Sequence, residues 1–278
     1  MLNSLVFDEA RYQRLLEGAA TLVGDGEWPD AEEVRSLISC IDNTTLNGND
    51  TEASVSAFVR RTMELQQGAV PPVAAICVYP YFVPLVKQLL GTGPIAVAAV
   101  AGGFPAGQLP LPLKVAEVKA VVEMGADEVD YVINRGAYLT GGQHALYDEV
   151  VAARQAAGQA HLKVILETGE LPSPALVYNA AVAALAAGAD FVKTSTGKIA
   201  VGATPEAACA MLMAVSDVRQ FSQKNVGFKV AGGVRTVQQA LMYYRFSKNL
   251  LNIKGLDSHN FRIGSSSLAN QLLALLTN

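Results

Sequence analysis

From about residue 36 onward, short apolar runs rich in β-branched residues alternate with longer stretches of helical periodicity. The runs are SLISCID (36–42), VAAICVY (73–79), AVAAVAG (96–102), EVDYVIN (128–134), HLKVILET (161–168), FVKTSTG (191–197), VGFKVAGG (226–233) and FRIGSSS (261–267), eight in all. Between them, PLKVAEVKAVVEM (112–124) sets Val115, Val118, Val121 and Val122 along one face. SPALVYNAAVAALAA (173–187) and TPEAACAMLMAVSDV (204–218) open on Ser-Pro and Thr-Pro, a cap followed by a residue pre-set for a first helical turn. Strands buried on both faces and alternating with helices predict parallel βαβ units. Eight such units in 278 residues predict an α/β fold, a (β/α)₈ TIM barrel. An open doubly wound sheet would need a glycine-rich dinucleotide turn after an early strand, and none is present. A helical stretch at about 7–23 and the loop GDGEWPD precede the barrel. Residues 1–35 therefore read as an N-terminal helical extension of one barrel domain spanning 1–278, its helix expected to cap the bottom of the barrel.

Composition narrows the functions open to this fold. Lys plus Arg number 21 against 25 Asp plus Glu, a net charge of −4 with no basic stripe, which argues against nucleic acid or an anionic membrane as partner. The uncharged stretches 65–86, 88–113 and 171–189 are long enough to span a bilayer. The first two are broken by Pro and Gly and the third opens LPSP and holds Asn179, so buried strands and helices are expected instead. Cys40, Cys77 and Cys209 are scattered and odd in number, which fits a reducing cytoplasm better than a disulfide framework. His144, His161 and His259 lie far apart, so no metal is expected, and no other cofactor. The opening MLNSLVFDEARYQ meets acidic residues by Asp8 and lacks a signal-peptide pattern.

One residue breaks the apolar character of the sixth run. Lys193 stands in FVKTSTG, and an ammonium inside a barrel is costly unless paired or deprotonated. Strand side chains alternate, so each run has two faces. With the aliphatic sets turned outward under the helices, Lys163, Lys193, Lys229, Glu167 and Asp130 turn inward, joined by Asp42 and Cys40 from the first run and Cys77 from the second. That interior holds three lysines and three carboxylates. MGADEVDY (124–131) echoes AGADFVKT (187–194), a glycine that ends a helix, then Ala-Asp, then a strand, which gives Asp130 and Lys193 the same orientation. A buried ion network without chemical duty would explain a single lysine. Three on successive strands point further, because clustered cations lower one another's pKa until one amine is neutral and nucleophilic. Such an amine forms a Schiff base with a carbonyl, an electron sink that lets C–C bonds break without metal. Spacing alone does not choose among the three lysines.

Glycine- and serine-rich turns follow the last strands: STGK (195–198), AGGVRT (231–236) and GSSS (264–267). Their backbone N–H groups, with helix N-termini behind them, suit a phosphate, and barrels commonly hold one on the loops after strands 7 and 8.

IDNTTL (41–46), AAICVYP (74–80), GFPAG (103–107), GADEVDYVIN (125–134), LKVILETGEL (162–171), GADFVKTSTGK (188–198), GFKVAGGVRT (227–236) and RIGSSS (262–267) together resemble the deoxyribose-phosphate aldolase family, class I aldolases of (β/α)₈ fold. The blocks around the three lysines are the specific ones; GFPAG alone would prove little. The resemblance implies reversible cleavage of 2-deoxy-D-ribose 5-phosphate into acetaldehyde and D-glyceraldehyde 3-phosphate. By position, Lys193 matches the Schiff-base lysine, Lys229 the lysine that primes it, Asp130 the acid–base aspartate and Lys163 a supporting lysine near it. Asp42 and Cys77 match further active-site positions, and Gly197, Lys198, Gly232, Gly233, Gly264, Ser265 and Ser266 match phosphate-binding ones. Val230 and AVAGGFPAG depart mildly from the family pattern, the latter at the mouth. The partners implied are small sugar phosphates and aldehydes, and a homodimer is common in the family. Two rival readings are a lysine-using, metal-independent lyase or isomerase for another sugar phosphate, and a barrel that only binds phosphorylated ligand. The lysine trio weighs against the second, since a pure binder gains little from a primed amine.

Overall fold

The structure is a computed structural model that describes residues 4–19, 22, 27–65, 70–253 and 255–277. Two helices, α1 (Glu9–Ala19) and α2 (Ala31–Ser39), lead into β1 (Ile41–Thr44). The chain then runs α3 (Glu52–Glu64), β2 (Ala75–Val78), α4 (Val83–Leu90), β3 (Ala96–Ala101), α5 (Leu111–Glu123), β4 (Glu128–Val132), α6 (Arg135–Ala157) and β5 (His161–Ile165). It ends with α7 (Pro174–Ala186), β6 (Phe191–Lys193), α8 (Pro205–Ser222), β7 (Gly227–Ala231), α9 (Val237–Leu251), β8 (Phe261–Ser265) and α10 (Leu268–Thr277). All eight strands are parallel, each paired with its sequence neighbour, and β8 closes on β1. The expected (β/α)₈ barrel is therefore the fold.

The main apolar core lies between strands and helices, filled by outward strand residues such as Val129, Tyr131, Leu162, Val164, Val192, Phe228 and Val230. A smaller apolar cluster of Leu46, Ala75, Cys77, Ala98 and Val100 fills the β2–β3 side of the interior. The Gly-Ala-Asp echo has a structural role on both strands that carry it. Asp127 accepts the Val97 amide at 2.9 Å and the Lys87 ammonium at 2.6 Å. Asp190 accepts the Leu162 amide at 2.7 Å and the Arg154 guanidinium at 2.8 Å. Each aspartate thus ties the foot of its strand to the foot of the preceding one.

Two expectations are corrected. SLISCID is not one strand: residues 36–39 are the last turn of α2, and β1 begins at Ile41. Asp30 and Glu33 form a reciprocal capping box, and Val34, Leu37 and Ile38 recur at helical spacing and are buried, so the helix wins the apolar run. The N-terminal helix α1 packs on the side of the barrel rather than under it. Arg11 pairs with Asp217 of α8 at 2.6 Å, Tyr178 of α7 donates to the same carboxylate at 2.8 Å, and the Phe7 and Tyr178 rings lie 5.6 Å apart. That position has a physical reason. The stretches 180–185 of α7 and 207–215 of α8 are buried all round, and a helix apolar on every side needs cover on its outer face. Positions 20, 21 and 23–26, which carried part of the expected helix and loop, lie outside the described residues. Among the described residues no helix is long and apolar enough to cross a membrane.

A buried ion pair stands outside the barrel wall, between β4, α5 and α6. Lys114 donates to Glu149 at 2.5 Å and to the Val132 carbonyl at 2.9 Å, with its nitrogen 5.0 Å from the Tyr131 ring centre. The Tyr131 hydroxyl (2.9 Å) and the Asn134 amide (3.2 Å) also donate to Glu149, so the carboxylate is well supplied.

Candidate active site

Period-two alternation carries the charges inward as the sequence predicts. Register pairs Asp130 with Lys163 across β4–β5 and Lys193 with Lys229 across β6–β7, so neighbours in each pair face the same way. Their heads converge on Asp130. Its Oδ2 accepts from Lys193 Nζ and Lys229 Nζ, both at 2.7 Å, and its Oδ1 accepts from Lys163 Nζ at 3.0 Å. Asp42 accepts from Lys163 at 3.1 Å, from Lys229, and from Arg262 at 2.5 Å. Glu128 completes the cluster, taking Arg262 at 2.7 Å and pairing with Lys163.

The membership differs from the expected three lysines and three carboxylates. Glu167 is not among them, because β5 ends at Ile165 and the chain turns left-handed at Glu167 (φ 54°), where alternation no longer applies. Glu128 takes its place, and Arg262 adds a cation. Four cations, Lys163, Lys193, Lys229 and Arg262, now face three carboxylates, Asp42, Glu128 and Asp130. Both additions lie two residues before an inward position, Asp130 and Gly264, so strict alternation could have found them. Cys40 caps α2 instead of joining β1, and burial pushes its thiol up to about 12.

Burial opposes the charges on Asp42, Glu128, Asp130, Lys163, Lys229 and Arg262, and partners override it. Lys163, Lys193 and Lys229 hold the Asp130 carboxyl well below the usual carboxylate range, and Lys163, Lys229 and Arg262 do the same for Asp42. In return Asp130 and Asp42 hold Lys163 and Lys229 above the usual ammonium value against their burial. These two lysines are therefore fixed cations. Cys77 reaches Asp130 at 3.9 Å, and burial, reinforced by that carboxylate, pushes its thiol up to about 11.

A cavity of about 400 Å³ opens above the cluster. Lys193, 3% exposed, lines it, whereas Lys163, Lys229, Asp42 and Asp130 are 0% exposed beneath. The predicted Gly197, Lys198, Gly232, Gly233, Gly264, Ser265 and Ser266 also line it, on the loops after β6 and β7 and at the end of β8 with the turn beyond it. Asp42 and Cys77 do not reach its wall; they stand behind the lysines. Gly232 needs its lack of side chain: at φ 82° a Cβ would lie 3.1 Å from that of Ser195 and 3.2 Å from Gly202 Cα. Ser265–Ser267 lead directly into α10, so that helix starts at the cavity. Lys198 sends its ammonium across to the Leu46 carbonyl. Thr44, Leu46, Phe58 and Arg235 line the cavity too and carried no separate signal in the sequence. Among the described residues no group of three or more His, Cys, Asp or Glu could hold a metal ion; the three interior carboxylates are taken up by cations.

Chemically, the arrangement presents one amine to a cavity, backed by fixed charge, with glycine- and serine-rich turns and a helix start on the same cavity. Comparison with known proteins gives the family. The DeoC/LacD family aldolase profile matches residues 36–258. Deoxyribose-phosphate aldolase of Mus musculus is 43% identical over 259 residues, covering 88% of this chain and 81% of that one. The Homo sapiens deoxyribose-phosphate aldolase is 40% identical over the same length and coverage. The deoxyribose phosphate aldolase of Aeropyrum pernix, described as a unique tetrameric structure, superposes with a TM-score of 0.69 at 27% identity, over 96% of this chain and 98% of that one.

Proposed function

The chain belongs to the DeoC/LacD family of aldolases, and on that premise we propose that it cleaves 2-deoxy-D-ribose 5-phosphate reversibly through an imine on Lys193. The products are acetaldehyde and D-glyceraldehyde 3-phosphate. One observation carries the reading: Lys193 alone of the interior lysines lines the cavity, while its nitrogen rests 2.7 Å from Asp130 Oδ2.

The chemistry follows from the charge count. Four cations against three carboxylates leave one positive charge in excess, and Lys193 is the amine of that group that meets the cavity. Neutral Lys193 attacks C1 of the open-chain sugar, and loss of water gives the protonated imine. A base takes the C3 hydroxyl proton, the C2–C3 bond breaks, and its electrons move toward the imine as an enamine. D-glyceraldehyde 3-phosphate leaves, C2 takes a proton, and water releases acetaldehyde and restores the amine. Asp130 touches both Lys193 and Lys229 through one oxygen and relays these protons, taking each only transiently because its carboxyl is held so low. Lys229 supplies the fixed positive charge beside Lys193, and Lys163 holds Asp130 from its other oxygen. At the far end of the substrate, Gly197, Lys198, Gly232, Gly233, Gly264, Ser265 and Ser266 hold the phosphate.

Borohydride reduction in the presence of acetaldehyde tests this. Mass spectrometry is expected to find the adduct on Lys193, and Lys193→Leu to abolish it. An adduct on Lys229 would reverse the roles, and no adduct with any aldehyde would remove the imine mechanism. The same reading takes residues 1–278 as one barrel domain with 1–35 as its extension, cytoplasmic and dimeric. Limited proteolysis, fractionation and sedimentation check these in turn; the Aeropyrum pernix relative, described as tetrameric, sets the rival outcome for the last.

A further inference from the structure

Glu167 is left unused by this chemistry, yet its surroundings are specific. The side chain is 0% exposed, and among the described residues it makes no ion pair. A buried carboxylate without a cation must be hydrogen-bonded to be tolerated. Glu167 meets that need with one neighbour only. Its Oε1 accepts from the Thr196 amide at 3.1 Å, and its Oε2 accepts from the Thr196 hydroxyl. With its proton committed there, the Thr196 oxygen accepts the Lys198 amide at 3.1 Å. The three residues form a chain of hydrogen bonds across Gly197, the left-handed residue (φ 75°) of a turn that lines the cavity.

The surrounding backbone is built to the same end. Glu167 itself is left-handed, at φ 54° and ψ 60°, uncommon for a residue with a long side chain. Two residues on, a Cβ at Gly169 would lie 2.4 Å from the Val201 carbonyl oxygen, so the turn after β5 presses on the loop after β6. On its other flank that loop meets the turn after β7, where a Cβ at Gly202 would lie 2.1 Å from the Gly232 oxygen and the Ala203 amide donates to that oxygen at 2.8 Å. The loop after β6 is thus held from both sides, and Glu167 supplies the polar hold.

We propose that Glu167 is a positioning residue that shapes the Thr196–Lys198 turn for phosphate, acting through Thr196, and so sets affinity for phosphorylated substrate without entering the imine chemistry. This rests on the assignment of the cavity's glycine and serine turns to phosphate. Glu167→Gln keeps the shape but only one acceptor oxygen. Glu167→Asp keeps the charge but ends one methylene short, and provides a second variant should the first fail to fold.

Each protein is titrated with inorganic phosphate in phosphate-free buffer, and assayed for kcat and KM on 2-deoxyribose 5-phosphate and for the rate of borohydride trapping with acetaldehyde, which carries no phosphate. Phosphate affinity is expected to fall about tenfold in Glu167→Gln and less in Glu167→Asp, with KM rising in step. kcat and the acetaldehyde trapping rate are expected to stay within about twofold. Unchanged phosphate affinity in a folded variant, or equal losses with and without phosphate, overturns the proposal. A wild-type protein that binds no phosphate removes the phosphate site itself and the proposal with it. That outcome is read from the wild-type curve alone, whatever the trapping arm shows.

Discussion

Two groups of buried charge lie on opposite faces of β4, and they are built on different arithmetic. Outside the wall, Lys114 faces one carboxylate, Glu149, whose other bonds come from Tyr131 and Asn134. The group is closed, neutral and away from the cavity, and burial outweighs Glu149 so that Lys114 is held below the usual ammonium value. Inside the wall, Lys163 and Lys229 are held above it, because Asp42 and Asp130 each serve several cations. A buried lysine therefore says little by itself. What separates a structural lysine from a reactive one here is the count of carboxylates around it and whether one amine of the group meets open space.

The sharpest way to break that contrast is to remove the amine that meets the cavity. Lys193→Leu is expected to cut turnover at least about 10⁴-fold while leaving the circular dichroism spectrum intact. A variant that retains more than a hundredth of the activity would place the nucleophile elsewhere. Lys229→Leu is expected to lose about 10²–10³-fold at neutral pH, the scale of removing one preorganised charge. Three cations are then left against three carboxylates, without the surplus positive charge beside Lys193. Raising the pH should restore much of the rate, and a pH–rate profile parallel to wild type would refute the charge count.

Smaller effects probe the outer group. Lys114→Met should destabilise the fold by about 3 kcal/mol in urea melts, the range for removing one partner of a buried pair. Turnover per folded molecule should be unchanged; a drop in that quantity would mean the two faces of β4 are coupled. The mildest test is stability against pH. Asp42 and Asp130, held low, stabilise the native state above about pH 4, and that contribution fades as pH falls through their folded values. Lys163 and Lys229, held high, stabilise it below about pH 10.4, and theirs fades as pH rises through their folded values. A plateau between about pH 5 and 10 with losses on both sides is expected. A loss on the acid side alone would show that the interior lysines gain nothing from their carboxylates.

The sequence is legible where a single physical rule runs unbroken. Alternation along β6 and β7 was enough to turn Lys193 and Lys229 inward, the Gly-Ala-Asp echo gave Asp130 the face of Lys193 where alternation along β4 was less decisive, and the number of apolar runs pointed to the barrel. It failed at boundaries. Ser36–Ser39 has an apolar run that suits a strand or a helix, and the Asp30–Glu33 cap, several residues upstream, decides it. Glu167 was assigned a face by extending period two past Ile165, where the strand had already ended. Arg262 was hidden for another reason: the Gly-Ser turn beside it drew the reading toward phosphate, although its guanidinium points the other way, to Asp42 and Glu128. Which lysine meets the cavity is legible in neither composition nor spacing, because it depends on loops from four different strands.

The pairing of Arg262 with Asp42 joins the last strand to the first across 220 residues of chain. During synthesis, β1 through β7 leave the ribosome with all three interior carboxylates and all three lysines but without the guanidinium. At that stage the charges are even, Asp42 and Glu128 share only Lys163, and the sheet has an open edge on each side. Arrival of β8 closes the edge and adds the surplus positive charge in one event. Catalytic competence should accordingly emerge in a translation reaction only after β8 and the turn into α10 have joined the barrel, long after Lys193 has been made, and a separately supplied C-terminal fragment carrying β8 and α10 should be able to switch on a chain that stops short of it.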